Sequence, residues 1–219
     1  GDSTPPETSI SFDPASPNGE NGWYVSDIGV TLTASDPSGI SRTEYNVGEG
    51  WVTYPGIPLT IDREGETTIQ YRSVDNFGNI EEAKSATVKL DKTPPVAVTG
   101  GPYSGFEGSA VGFDGSRSTD AVSGVWSYRW EFAPEVSGQT SPQDSSQASY
   151  LWGDNGEFAA ALTVKDFAGW SAAGAAVVAA ANVSPAVSID EGSFTSFAGG
   201  GARLGKIGTP VSFGAELTD

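Results

Sequence analysis

The stretch "LDKTPPVAVTGG", residues 90–101, sets two adjacent prolines between a charged dipeptide with its threonine and an alternating apolar run. Related phrases occur at "STPPETSISF", residues 3–12, and "NVSPAVSID", residues 182–190. Aligned on one proline, the three fall at Pro6, Pro95 and Pro185, about 90 residues apart. Proline fixes φ and keeps its predecessor extended, so the phrase suits a stiff lead into a first strand. The period predicts a repeated domain with a hinge at each proline phrase: residues 1–93, residues 94–183, and residues 184–219 as an incomplete third unit. On this reading the chain is a piece of a longer protein, cut inside its third repeat.

Between the prolines the pattern is that of strands. "GVTLTAS" (29–35) puts Val30, Leu32 and Ala34 on one face, and "TTIQYRSV" (67–74) does the same with Ile69, Tyr71 and Ser73. "ATVKL" (86–90) pairs Val88 with Leu90. In the second period "SYRWEF" (127–132) aligns Tyr128, Trp130 and Phe132, and "EFAAALTV" (157–164) aligns Phe158, Ala160, Leu162 and Val164. Period-two alternation means half-buried strands in antiparallel sheets. With 29 Gly and 14 Pro, long helices are interrupted almost everywhere. The period exceeds the roughly 20–50 residues of solenoid repeats and approaches the roughly 100 residues of an immunoglobulin-like sandwich.

Composition removes whole classes of function. The net charge is −17, which disfavours nucleic acid and anionic membrane surfaces, since both are bound by Lys and Arg. The sequence has no cysteine and no histidine. Disulfides, thiolate zinc sites, imidazole ligands and the Ser-His-Asp triad are therefore out of reach. What survives is oxygen chemistry. The richest apolar run, "AAGAAVVAAA" (172–181), is far shorter than the ~18 residues of a membrane span.

The residues resemble two kinds of module. Residues 94–183 are similar to a polycystic-kidney-disease (PKD) repeat in "PPVAVTGGPYSGFEGSAVGFDGSRSTD", in "SYRWEF" and in "YLWGDNGEFAAALTVKDFAG". Such repeats usually continue "WDFGDG" after their tryptophan, whereas this chain reads "WEFAPEV" at 130–136. Residues 183–219 resemble the start of another PKD repeat. Residues 5–93 resemble a different bacterial Ig-like module through "NGWYVSDIGVTLTASDPSGI", "TEYNVGEGWVTY", "YRSVDNFGNIEEAKS" and "KLDKTPP". The resemblance implies an all-β chain of tandem Ig-like sandwiches, seven-stranded, antiparallel and Greek-key. It also implies non-catalytic modules of secreted hydrolases, adhesins or surface-layer proteins of bacteria.

Four aspartates stand out. "VDNFGN" (74–79) and "KDFAGW" (165–170) both follow the penultimate strand, and "SDPSG" (35–39) and "TDAVSG" (119–124) occupy equivalent loops. Asp36, Asp75, Asp120 and Asp166 each precede a glycine by three or four residues, the spelling of an ordinary type I turn. In a seven-stranded sandwich these loops share one end with the incoming linker. Asp36 then meets Asp75, and Asp120 meets Asp166 near linker residues Asp91 to Thr93. Carboxylates with linker carbonyls form an oxygen site suited to calcium, and the PKD resemblance implies calcium in this arrangement. PKD repeats usually add an aspartate two residues after the first, a place held here by Val122. No cofactor is required on this reading, and calcium is the candidate.

Trp130 is expected in the core. Trp23, Trp51, Trp126, Trp152 and Trp170 lie in or beside turns, where they plug sandwich ends, cover a linker or stack on sugar rings. "NVS" at 182–184 fits a glycosylation triplet. The expected role is a secreted or cell-surface spacer that presents other domains of its parent. The rivals are a module that binds polysaccharide or a surface protein, and an accessory region of a secreted hydrolase. Membrane insertion and nucleic-acid binding are not expected.

Overall fold

A computed structural model describes residues 1–134 and 138–184. The third repeat lies outside the described residues from Pro185 onward. In the first segment the strands are β1 (Glu7–Asp13), β2 (Ile28–Ser35), β3 (Ile40–Asn46), β4 (Val52–Thr53), β5 (Leu59–Ile61), β6 (Gly65–Asp75) and β7 (Lys84–Leu90). They form a three-stranded sheet ordered β1-β2-β5 and a four-stranded sheet ordered β4-β3-β6-β7. Their inward residues meet in one core of Tyr24, Ile28, Val30, Ile61, Ile69, Val88 and Leu90. The alternation in the sequence is the physical cause: on β2 the buried Ile28, Val30 and Leu32 are separated by residues that face outward.

The second segment holds β8 (Tyr103–Phe106), β9 (Val111–Asp114), β10 (Val125–Ala133), β11 (Gln147–Tyr150), β12 (Gly156–Asp166) and β13 (Ser171–Ala181). The order is β10-β12-β13-β8 in one sheet and β11-β9 in the other. A single antiparallel bridge, Val96 to Thr119, replaces an edge strand after the prolines. The core is aromatic. Phe132 stacks on Tyr150 with centroids 4.4 Å apart, and Trp152 stacks on Phe158 at 4.9 Å. Both segments are thus all-β Ig-like sandwiches.

Two features depart from the sequence reading. β13 and β8 pair in parallel, from Val178 opposite Tyr103 to Ala181 opposite Phe106, so the pairing is not purely antiparallel. The apolar run 172–181 lies within the long strand β13. Its inner face is Ala176, Val178 and Ala180. No helix is long and apolar enough to cross a membrane among the described residues.

Both sandwiches carry an irregularity at one equivalent place. The pairing shifts register between Ile40 and Arg42 on β3, and between Val125 and Ser127 on β10. Such bulges re-aim a side chain beside a loop end, and in β10 the re-aimed residue is Trp126.

A buried polar network joins the two sheets of the first sandwich. Glu81, Thr8 and Ser73 are all buried. Glu81 accepts the Thr8 N–H at 2.9 Å, the Thr8 hydroxyl and the Ser73 N–H at 3.2 Å, and pairs with Lys84 at 2.8 Å.

Candidate metal centre

The loop from β12 to β13, Asp166 to Trp170, turns on its own aspartate. Asp166 Oδ1 accepts the Gly169 N–H at 2.7 Å and the Trp170 N–H at 2.9 Å. Gly169 sits at φ +103°, a conformation that favours glycine. In the loop before β10, Asp120 Oδ1 accepts the N–H groups of Val122, Ser123 and Gly124 at 3.1, 2.8 and 2.7 Å. In the linker, Asp91 Oδ1 accepts the Thr93 N–H at 3.0 Å. Each aspartate therefore spends one oxygen on its own turn.

The other oxygens have no such use. Oδ2 of Asp91, Asp120 and Asp166 are all buried without a hydrogen-bond partner. The three residues each offer a carboxylate oxygen within 4.8 Å of the others. Asp91 and Asp166 are fully buried. Burial pushes the Asp166 carboxyl above the ordinary range, outweighing the N–H groups of Trp170 and Gly169, and the charges of Asp91 and Asp120 push the same way. Unpaired buried carboxylate oxygens are costly. A hard cation that takes oxygen ligands fits them, calcium in particular, which takes six to eight.

The same arrangement stands at the far end of the first sandwich with a different outcome. Asp2, Asp36 and Asp75 also lie within 4.8 Å of one another. Here protein donors fill the oxygens. Asp75 Oδ1 accepts the N–H groups of Phe77 and Asn79 at 2.9 and 2.8 Å, and its Oδ2 accepts the Asn79 amide at 2.7 Å and the Ser38 hydroxyl at 3.2 Å. Burial raises the Asp75 carboxyl, but the bonds from Asn79, Phe77 and Ser38 outweigh it and hold it below the ordinary range. Asp36 Oδ1 takes the N–H and hydroxyl of Ser38.

The structure therefore gathers Asp120 with Asp166 and Asp36 with Asp75, and adds a third carboxylate to each pair. Asp91 and Asp2 were not among the sequence candidates. The signal for them was present: "DSTPP" and "DKTPP" each open with that aspartate.

The carboxylate trio sits at the contact between the sandwiches. The Glu20 N–H donates to the Ala168 carbonyl at 2.9 Å, and the Asn21 amide donates to the Phe167 carbonyl at 2.9 Å. Lys165 pairs with Glu20, and the Trp170 indole N–H donates to the Asp91 carbonyl at 3.0 Å. Gly19 lies so close that a Cβ there would stand 2.6 Å from the Ala168 carbonyl oxygen. Trp170 thus covers the linker. Trp23, Trp130 and Trp152 are buried. Trp51 carries the Arg72 guanidinium over its ring at 4.1 Å, so that face is taken.

A pair of Ig-like β-sandwich modules meeting at a carboxylate-lined joint is the class that fold and site define. Residues 92–181 match the family model of the PKD domain. No curated protein matches the chain. Solved structures that match the chain include the fibronectin(III)-like modules of Clostridium thermocellum CbhA, at 13% identity and TM-score 0.37, covering 80% of this chain and 95% of that one. The D00-D0 domain of intimin matches at 11% identity and TM-score 0.37, covering 79% and 100%. The Yersinia pseudotuberculosis adhesin InvE matches at 13% and TM-score 0.34, covering 78% and 58%.

Proposed function

We propose that the chain is a non-catalytic spacer of a larger secreted or cell-surface bacterial protein, and that calcium bound by Asp91, Asp120 and Asp166 holds its two sandwiches together. The observation that carries this reading is the trio of buried carboxylate oxygens without donors. The ion supplies positive charge where a chain of net charge −17 concentrates negative charge. Asp91 comes from the linker and the other two from the second sandwich, so one ion ties the end of one module to the start of the next. Extracellular calcium sites have dissociation constants of about 10⁻⁴ to 10⁻³ M. At about 1 mM calcium the gain is then roughly 0.4–1.4 kcal/mol. Thermal melts in several millimolar calcium are expected to exceed those in excess chelator by a few degrees. The difference should vanish in Asp120→Ala and Asp166→Ala, and magnesium should substitute poorly. Identical melts in calcium and chelator for the unaltered chain would remove the ion from the joint.

A second outcome separates cation chemistry from turn chemistry. Asp166→Asn keeps an Oδ1 acceptor for Gly169 and Trp170 and replaces the partnerless oxygen with an amide donor. The metal-free variant is expected to melt above the metal-free parent by an amount of order 1 kcal/mol, and to lose its response to calcium. A drop in the metal-free melt would show that the ionised carboxylate serves the loop itself.

One observation favours a binding role beside the spacer role. Trp126 is 54% exposed and held edge-on against Phe167 at 4.7 Å. An exposed indole fixed by a second ring is a platform on which a sugar ring stacks. Retarded migration of the chain in gels containing soluble polysaccharide, abolished by Trp126→Ala, would establish it; unchanged migration across cellulose, xylan and chitin derivatives would remove it.

A further inference from the structure

Three hydrogen bonds at the loop end of the first sandwich recur at the loop end of the second, the one docked at the joint. The Asn76 N–H donates to the Gly39 carbonyl at 3.2 Å, as Phe167 does to Gly124 at 3.1 Å. The Asp75 N–H donates to the Asn79 carbonyl at 3.2 Å, as Asp166 does to Trp170 at 3.0 Å. The Asn79 amide donates to the Asp2 carbonyl at 3.2 Å, as the Trp170 indole does to Asp91 at 3.0 Å. These three bonds hold the two ends alike, although the aspartates take different N–H groups: Phe77 and Asn79 on Asp75, Gly169 and Trp170 on Asp166.

Their surroundings differ. Ala168, covered by the Asn18–Trp23 loop, is 1% exposed, whereas its counterpart Phe77 is 63% exposed. Ile80, three residues on, is 52% exposed. Large apolar side chains at the tip of a loop otherwise built from polar residues mark a contact surface.

We infer that this end of the first sandwich, centred on Phe77 and Ile80, is a docking surface for the opposite loop end of another Ig-like module. The chain's own joint states the chemistry of the partner. A backbone N–H meets the Phe77 carbonyl, as Glu20 meets Ala168. A side-chain amide meets the Asn76 carbonyl, as Asn21 meets Phe167. A glycine stands at the closest approach, as Gly19 does. Because Phe77 is larger than alanine, the partner surface carries an apolar recess where the joint has none. This inference extends the spacer reading to a further module and uses no cation.

The test keeps the whole chain and adds a copy of its first sandwich. Residues 1–90 are followed directly by residues 2–219, so that Asp2 of the inner copy takes the place of Asp91. A control carries a flexible Gly-Ser spacer at the new junction. Hydrogen exchange is read on the peptide spanning Asp75–Asn79. The direct fusion is expected to give two populations: one fast as in the parent, from the outer copy, and one slowed about tenfold or more, from the inner copy. The spacer control should give the fast population alone, and Phe77→Asp should abolish the slow one without lowering the melt of the parent chain. A single fast population in the direct fusion overturns the inference. So does an added copy that folds with the spacer and not without it, or a Phe77→Asp parent that melts early. Slow exchange that persists in chelator leaves docking standing even where the calcium reading fails.

Discussion

Glu81→Ala is expected to destabilise the first sandwich by several kcal/mol, because it takes the acceptor from buried backbone donors at about 1–3 kcal/mol each. The carboxylate is a hub between sheets: Thr8 lies on β1, Ser73 on β6 and Lys84 on β7. Alanine takes the carboxylate from the Thr8 and Ser73 backbone N–H groups, buried donors left unpaired, while the Thr8 hydroxyl keeps the Ser73 hydroxyl at 2.7 Å. It also frees the Lys84 ammonium, which donates to the Thr8 carbonyl as well at 2.8 Å. Glu81→Gln keeps the shape and one acceptor, so it should lose less. Acid should imitate the change. Burial raises the Glu81 carboxyl, but Lys84 and Thr8 outweigh it and the folded group titrates below its usual value. A lowered folded pKa gives stability that is present above the unfolded value, about 4.3, and is lost as pH falls through the folded one. Urea unfolding followed by exchange of the β6 and β7 peptides measures both effects. A loss below about 1 kcal/mol in Glu81→Ala would mean that the donors find other partners.

Trp130→Ala should cost the second sandwich about 3–5 kcal/mol, while Trp130→Phe should cost much less. The indole is fully buried, lies 5.5 Å from Phe113 between centroids, and runs parallel to Phe132. It packs against the bare backbone of Gly115, where a Cβ would stand 3.3 Å from the indole edge and 2.7 Å from Leu162. Its Nε1 is buried with no hydrogen-bond partner among the described residues. Phenylalanine gives up volume but removes that unpaired donor, and the two terms oppose each other. The two cores are separate clusters. Faster exchange should therefore appear in the peptides of β10, β12 and β13 and leave β2 and β6 unchanged. Equal losses for Phe and Ala would show that the lost volume does not set the cost.

What could be read from the sequence, and what could not, follows from the range of each interaction. Strands with a clean inside and outside, such as β2 and β6, announced themselves because neighbours in sequence carried the alternation. β13 did not, because alanine stands on both its faces: Ala173, Ala175 and Ala179 outside, Ala176 and Ala180 inside. Its parallel pairing with β8 joins segments far apart in sequence and leaves no local trace. Asp120 and Asp166 were legible because the loops repeat. Asp91 was expected beside them for the linker's carbonyls, and its carboxylate was not counted. Glu81 sits in "NIEEAKS", which looks like a solvated turn. Only the fold shows that one of the two adjacent glutamates points inward. Trp152, expected in or beside a turn, stands just past β11 and is buried in the core, because that strand delivers Tyr150 and Trp152 to one side.

The parallel register of β8 and β13 decides how the second sandwich answers to tension. The chain enters this sandwich ahead of β8 and leaves it from the end of β13. Pulling the two ends apart drives adjacent parallel strands in opposite directions along their own axes. The inter-strand hydrogen bonds from Tyr103–Val178 to Phe106–Ala181 are then sheared together and not peeled one at a time. A module drawn taut between an anchor and a load resists through that short seam, and its rupture force is set by a handful of bonds acting in concert.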